Sequence, residues 1–236
     1  MSTERPTGHR LTRESVMSGE MRRLIAQHDP GARLIPDEEH CASVKAILAQ
    51  RPDGGGDVWL FAYGSLIWNP LIHFLEKRVA TVHGYHRRFC LWTHLGRGSV
   101  EAPGLILGLE RGGACRGVAY RIEEKLAQQE LELLWRREMV TGSYCPRWTS
   151  IVTREGGSGH AIAFIINPAH PRYAGLVPED KVVESIARAK GALGPCASYL
   201  FDTAAHLEAL GVHDKRLFRL RDRVRQVLEG QKKTAE

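Results

Sequence analysis

The run Val58-Trp59-Leu60-Phe61-Ala62, followed by Tyr63-Gly64-Ser65-Leu66, decides how the rest of the chain is read. A run of Val, Trp, Leu and Phe describes a buried β-strand. It stops at Tyr-Gly-Ser, where Gly64 permits backbone angles closed to other residues. A strand that ends in a glycine turn can aim successive N–H groups into one concave spot, which suits an anion such as a carboxylate. On these residues alone the stretch equally describes an ordinary strand-ending turn. The surrounding chain has to decide.

Upstream, residues 1 to about 10 are polar and expected to be disordered. Over 12–27, Val16, Met17, Met21, Leu24 and Ile25 recur at helical spacing, with Thr12 placed to cap the helix. A second short helix is expected over 37–50, with Val44, Ile47 and Leu48 on its apolar side. Arg51-Pro52-Asp53-Gly54-Gly55-Gly56 then breaks structure and reads as a linker. Each helix is short and carries one apolar stripe, so the pair is expected to pack on the domain that follows. The organisation is thus an N-terminal helical extension and linker at 1–56, a main domain at 57–230 and a polar tail at 231–236.

Downstream, strands are expected at 78–85, 86–93, 105–110 and 115–122, with Gly112-Gly113 as a hairpin turn between the last two. A helix follows over 123–139, then a strand pair at 147–153 and 161–166. Helices are expected at 178–191, 197–210 and 214–230. The basic residues from Lys215 to Arg225 alternate with apolar ones and read as the wet side of the last helix. Strands followed by helices, without regular βαβ alternation, argue an α+β fold. Closing its sheet into a small barrel would remove exposed edges.

Five blocks, in order, resemble the ChaC family of γ-glutamylcyclotransferases. They are Tyr63-Gly64-Ser65-Leu66-Ile67-Trp68-Asn69-Pro70, Gly84-Tyr85-His86-Arg87-Arg88-Phe89, Pro103-Gly104-Leu105-Ile106-Leu107-Gly108-Leu109, Cys115-Arg116-Gly117-Val118-Ala119-Tyr120-Arg121-Ile122, and Arg137-Glu138 with Gly142-Ser143-Tyr144. Weaker similarity continues through Tyr173 and Gly175 to Ser198-Tyr199-Leu200-Phe201. Together the blocks span roughly two thirds of the chain. Two departures stand out: Ala62, where the family often has Gly, and the segment His94-Leu95-Gly96-Arg97-Gly98-Ser99. The second bears on the detail of that loop and on substrate preference.

The resemblance implies a mixed β-barrel surrounded by helices, and a reaction without a cofactor. The α-amino group of a γ-glutamyl amide attacks its own γ-carbonyl carbon, giving 5-oxoproline and the released amine. For ChaC relatives the substrate is glutathione and the released piece is cysteinylglycine. One carboxylate can serve such a reaction, first as base for the ammonium and then as acid for the leaving nitrogen. The resemblance assigns that role to Glu138. At a helix end the dipole disfavours the ionised carboxylate, and burial would act the same way. On position alone, Glu138 would pass for a solvated helix residue. Glu130 and Glu132 match no motif position and are expected at the surface.

Substrate binding is expected from Phe61, Ala62, Tyr63, Gly64, Ser65 and Leu66, with hydroxyls from Tyr144 and Tyr199. For any of these tyrosines, core packing with a satisfied hydroxyl is the alternative. Ser65 lacks the Gly-x-Ser-x-Gly setting of a nucleophile. Arg87 and Arg88 are neighbours on a strand, so only one faces inward, either toward a substrate carboxylate or into an ordinary salt bridge. Trp68 and Trp92 are expected in the core.

Bulk properties narrow the partners. A net charge of +6 suits an anionic small substrate, and no dense basic run or nucleic-acid motif is present. No run of about 18 apolar residues is expected to span a membrane, and the N-terminus lacks an apolar signal core. Five cysteines without a Cys-x-x-Cys pair suggest neither a zinc site nor a disulfide framework, hence a reduced, cytoplasmic setting. The 11 histidines are scattered, and His83 and His86 fall on opposite strand faces, so no metal is expected. Two other readings stay open: a cyclotransferase for another γ-glutamyl amine or amino acid, and a non-catalytic ChaC-like interaction protein linked to cation transport. The oligomeric state is open.

Overall fold

A computed structural model of the chain describes residues 11–29, 31–52 and 54–234. The N-terminal stretch 1–10, Asp53 of the linker and the last two residues of the tail lie outside the described residues.

Five strands close into a barrel: β1 (Val58–Ala62), β2 (Glu76–Thr93), β3 (Gly104–Ile122), β4 (Tyr144–Thr153) and β5 (Ser158–Ile166). Their order is β1-β3-β2-β4-β5. All the neighbouring pairs are antiparallel until β5 returns beside β1 in parallel, with Leu60 opposite Ile162. β1 is buried on nearly every residue because barrel core and packed helices cover both its faces. That explains its unbroken apolar run.

The glycine pair at 112–113 is not a hairpin turn. β2 and β3 are each continuous, and the hairpin joining them lies at 94–103. Register slips from His83↔Ala114 to Tyr85↔Arg111, so Gly84 faces the pair Gly112-Gly113 across a β-bulge. All three have left-handed φ, of 81°, 103° and 72°, which glycine adopts at little cost. A bulge bends both strands at once, and so turned two long strands into four apparent short ones in sequence.

The N-terminal segment also divides. Gly19 (φ 69°) splits the expected helix into α1 (Arg13–Met17) and α2 (Glu20–His28). Thr12 does cap α1, in a reciprocal box with Ser15. α3 (Asp37–Ala49) and α4 (Glu124–Glu138) pack together. Trp135 Nε1 donates to Ser43 Oγ at 3.0 Å, and Trp148 Nε1 of β4 donates to Ile47 O at 2.7 Å.

Glu130 overturns its surface assignment: only 1 % of its side chain is exposed. Arg13 grips it with two nitrogens, at 2.6 and 2.8 Å, and His73 adds its ring Nδ1 at 2.9 Å and its N–H at 3.1 Å. A buried carboxylate survives only when paired, and these partners lie 57 and 117 residues away. They draw the carboxyl below its usual range, against burial, which pushes it up.

Three helices close the other side: α5 (Glu179–Arg188), α6 (Cys196–Ala209) and α7 (Lys215–Thr234), with a two-residue ladder, β6 (Lys190–Gly191) and β7 (Gly194–Pro195), before α6. On α7, Leu217, Leu220 and Val224 are buried. Arg219 and Arg223 pair with Glu179, and Arg223 also with Asp180. The basic run is thus the wet face of an amphipathic helix, as its spacing predicts. Among the described residues no helix is long and apolar enough to cross a membrane.

Candidate active site

Beyond Ala62 the chain leaves β1 and makes a 3₁₀ turn at Ser65–Ile67. Phe61 and Ala62 are wholly buried strand residues opposite Ala119 and Val118. Gly64 has φ −134°, so a left-handed backbone is not the reason for glycine here. The reason is crowding: a Cβ would lie 2.8 Å from the Tyr199 hydroxyl. The N–H groups of Ser65 and Leu66 open the turn, and no described protein group accepts from them.

Two arginines hold this loop. Arg87 is the inward member of its pair: its Nη1 donates to Tyr63 O at 2.7 Å, and its Nε lies 2.8 Å from Asp214. Arg88 turns the other way, to Glu110. Arg137, next to last in α4, donates from Nη1 to Asn69 O at 2.5 Å and from Nη2 to Ser65 Oγ at 2.9 Å.

Glu138 ends α4. Met139 caps the helix through a bond to Trp135 O, and a left-handed turn at Gly142 (φ 75°) leads into β4. The Glu138 side chain is 16 % exposed, with Oε1 2.9 Å from Arg137 Nε. Burial raises its proton affinity above the usual carboxylate range, and the Arg137 charge pulls it back only in part. Arg137 therefore joins the carboxylate to the strand-end loop.

Three tyrosines surround this carboxylate. Tyr63 Oη donates to Phe164 O at 2.7 Å and Tyr144 Oη to Leu107 O at 2.9 Å, whereas Tyr199 Oη accepts from the Leu107 N–H. Burial, then the neighbouring Glu138 charge among others, keeps all three phenols protonated far beyond neutral pH. The Tyr63 and Tyr144 protons are committed to backbone carbonyls.

A cavity of about 120 Å³ opens beside Glu138. Of the residues expected at the site from sequence, Glu138 and Tyr144 line it. Phe61, Ala62, Tyr63, Gly64, Ser65, Leu66 and Tyr199 do not; Ser65 connects to it through Arg137, and Tyr199 through the Leu107 backbone, whose N–H donates to it and whose carbonyl accepts from Tyr144. Leu91, Trp92 and Ile106 supply an apolar wall, so Trp92 is not purely a core residue. Met21 and Ile25 of α2 form another wall, and Thr141, Ser143 and Arg172 a polar one. Sequence reasoning passed over these last three. Thr141 and Ser143 flank Gly142 in the block that carries Glu138, and Arg172 sits beside Tyr173, so the signal was adjacency alone. Among the described residues no group of three His, Cys, Asp or Glu side chains is placed to hold a metal ion.

The arrangement can move a proton: a carboxylate of raised affinity, held by an arginine, at the edge of a small half-apolar cavity. Comparison with known proteins identifies the family. Residues 58–227 match the family model for ChaC-like proteins. The chain is 42 % identical over 204 residues to the glutathione-specific γ-glutamylcyclotransferase of Escherichia coli (strain K12), covering 86 % of this chain and 87 % of that one. That coverage is more than residues 58–236 can supply, so the match runs into the N-terminal helices. The human glutathione-specific γ-glutamylcyclotransferase 1 is 32 % identical over 170 residues, 69 % of this chain and 77 % of its own. A crystal structure of a yeast γ-glutamyl cyclotransferase specific to glutathione superposes with a TM-score of 0.68 at 20 % identity, over 73 % of this chain and 97 % of that one, and so has the same fold. The family model spans most of the chain and the Escherichia coli relative is 42 % identical over most of both chains, so this chain belongs to the ChaC-like family.

Proposed function

We propose that this chain is a γ-glutamylcyclotransferase that cleaves glutathione to 5-oxoproline and cysteinylglycine, with Glu138 as general base and acid. The observation that carries the reading is Glu138 itself: a largely buried carboxyl of raised proton affinity at the edge of a cavity, bound by Arg137 to the Ser65 loop.

The steps follow from what each group can do. The substrate's α-carboxylate accepts from the open N–H groups of Ser65 and Leu66. Glu138 takes a proton from the α-ammonium, and the freed amine attacks the γ-carbonyl carbon. The new C–N bond closes the five-membered ring, the bond to the cysteinyl nitrogen breaks as Glu138 returns the proton to it, and the second proton shed by the ring nitrogen passes by way of the same carboxylate to the released amine, which departs as an ammonium. The substrate supplies the nucleophile, so holding it bent is most of the work. Tyr144 forms part of the wall against which it bends.

Residues 1–56 act in this reading as an extension that completes the cavity through Met21 and Ile25, and 57–230 as the catalytic domain. The five cysteines are free, which suits a reduced, cytoplasmic setting.

The test is incubation of the purified chain with glutathione, following 5-oxoproline and cysteinylglycine by mass spectrometry. Formation of both in equal amounts supports the reading. No product from glutathione, but product from another γ-glutamyl amine, would change the substrate and keep the chemistry. A second expectation concerns the loop. Gly64→Ala should lower kcat/KM about tenfold or more, because its Cβ displaces the loop from a Tyr199 hydroxyl that is itself anchored. Tyr199→Phe in the same chain removes the crowding atom and should restore part of the loss. Absence of any recovery in steady-state rates would count against crowding as the cause.

A further inference from the structure

We propose that Arg172 receives the carboxylate at the far end of the substrate's leaving group, so that the enzyme selects γ-glutamyl peptides with a free C-terminal carboxylate. This rests on the cyclotransferase reading and names what that site recognises beyond the γ-glutamyl moiety.

Arg172 is a placed side chain. In the loop after β5, its N–H donates to His170 Nδ1 at 3.1 Å, and its carbonyl accepts from Trp92 N at 2.9 Å. His170 Nε2 in turn meets Thr141 O at 3.1 Å, so Nδ1 is the acceptor and Nε2 carries the hydrogen. Asn167 binds the same turn through Ser143 O and Gly142 O, at 2.9 and 3.1 Å. The loop is thereby fastened to the turn that follows Glu138.

The guanidinium it presents has no anion in direct contact. Nη2 donates to two neutral hydroxyls, Thr141 Oγ1 and Ser143 Oγ, the latter at 3.2 Å. No described carboxylate lies within 4.0 Å of it; burial lowers its proton affinity, and the Asp29 charge at the end of α2, acting at longer range, offsets that only in part. Arg137, the other arginine on the cavity, is already committed to Glu138, Ser65 and Asn69. A partly buried cation with no carboxylate in contact gains from one, most of all through paired charge-assisted hydrogen bonds. Glutathione has two carboxylates. The open N–H groups of the Ser65 turn suit one, and the second needs a cation within reach of the leaving side. Leu91, Trp92 and Ile106 give the part between an apolar surface.

The experiment compares glutathione with its glycine amide, reading 5-oxoproline from each, in wild type and in Arg172→Gln. The wild type should favour the acid about 10- to 100-fold in kcat/KM, mostly through KM, as a charge-assisted contact would give. In R172Q that preference should vanish, and Arg172→Lys should restore part of it by keeping the charge. Thermal melting checks that each variant folds. The wild-type comparison needs no mutation, so it decides the matter even if R172Q is unstable. A wild type that converts both substrates equally well, or an R172Q that keeps the full preference, overturns the role of Arg172 while the cyclotransferase reading stands. A wild type that makes no 5-oxoproline from any γ-glutamyl compound removes both.

Discussion

Replacing Glu138 with Gln is expected to lower kcat by a hundred- to ten-thousand-fold, the range that one positioned acid–base group contributes. Gln has nearly the same shape and still accepts from Arg137 Nε, which lies 2.9 Å from Oε1. It can neither take a proton from the ammonium nor deliver one to the leaving nitrogen. KM should change little, because the α-carboxylate is held by the Ser65 turn. Stability should hold or rise slightly. Burial raises the folded-state affinity of Glu138 for its proton. The resulting cost of folding is absent in acid and appears as pH rises through the unfolded value of about 4.3. A neutral side chain removes that cost. The wild type should also show an acid limb in kcat/KM lying above the ordinary carboxylate range, since only ionised Glu138 is a base. Measuring both enzymes' single-turnover rates from acid to neutral pH, with melting curves alongside, tests each point. Equal rates would remove Glu138 from the chemistry, and a limb at an ordinary carboxylate value would leave the burial argument without effect.

How much of this was visible in the chain differs by element. β1 and α4 were legible because each is a local pattern: an unbroken apolar run, and a helix ending where Gly142 turns left-handed. Glu138 was found through the blocks around it, since nothing in its immediate spacing marks it as buried. The long paired strands β2 and β3 were misread as four because Gly84 and Gly112-Gly113 punctuate sequence as a turn does, and only cross-strand register reveals a bulge. Gly64 was singled out from its place in the turn, and the fold adds a constraint that the turn does not show. Its constraint comes from Tyr199, 135 residues away, and no local pattern encodes that contact. Arg172 was passed over, and Glu130 was assigned to the surface, for the same cause. An arginine without a carboxylate and a glutamate with an arginine look alike in sequence; the difference is what the fold puts beside them.

Glu130 yields the largest expected effect on stability. Its carboxylate is 1 % exposed and depends on Arg13 and His73. Arg13 supplies two of its hydrogen bonds and also donates to Leu71 O at 2.9 Å, so one side chain of α1 joins α4 to the loop before β2. Removing one partner of a buried pair leaves a charge without compensation, at a typical cost of 3–5 kcal/mol. Two features reduce that here: the Arg13 side chain is 31 % exposed, and His73 remains. Arg13→Ala is therefore expected to cost about 2–3 kcal/mol, a fall in Tm of roughly 5–10 °C for a chain of this size. The sign with pH follows from the lowered proton affinity of Glu130. Its contribution is complete above the unfolded value of about 4.3 and fades as pH falls through the lower folded value, so wild type and Arg13→Ala should converge in acid. The pair Arg13→Leu with Glu130→Leu distinguishes an ion pair from a merely crowded site. An apolar replacement of both partners is often neutral, so the double variant should be more stable than Arg13→Ala alone. Calorimetry on the three chains reads this directly. If the double variant melts below the single one, then packing of α1 holds the N-terminal helices in place, and the charge on Glu130 does not.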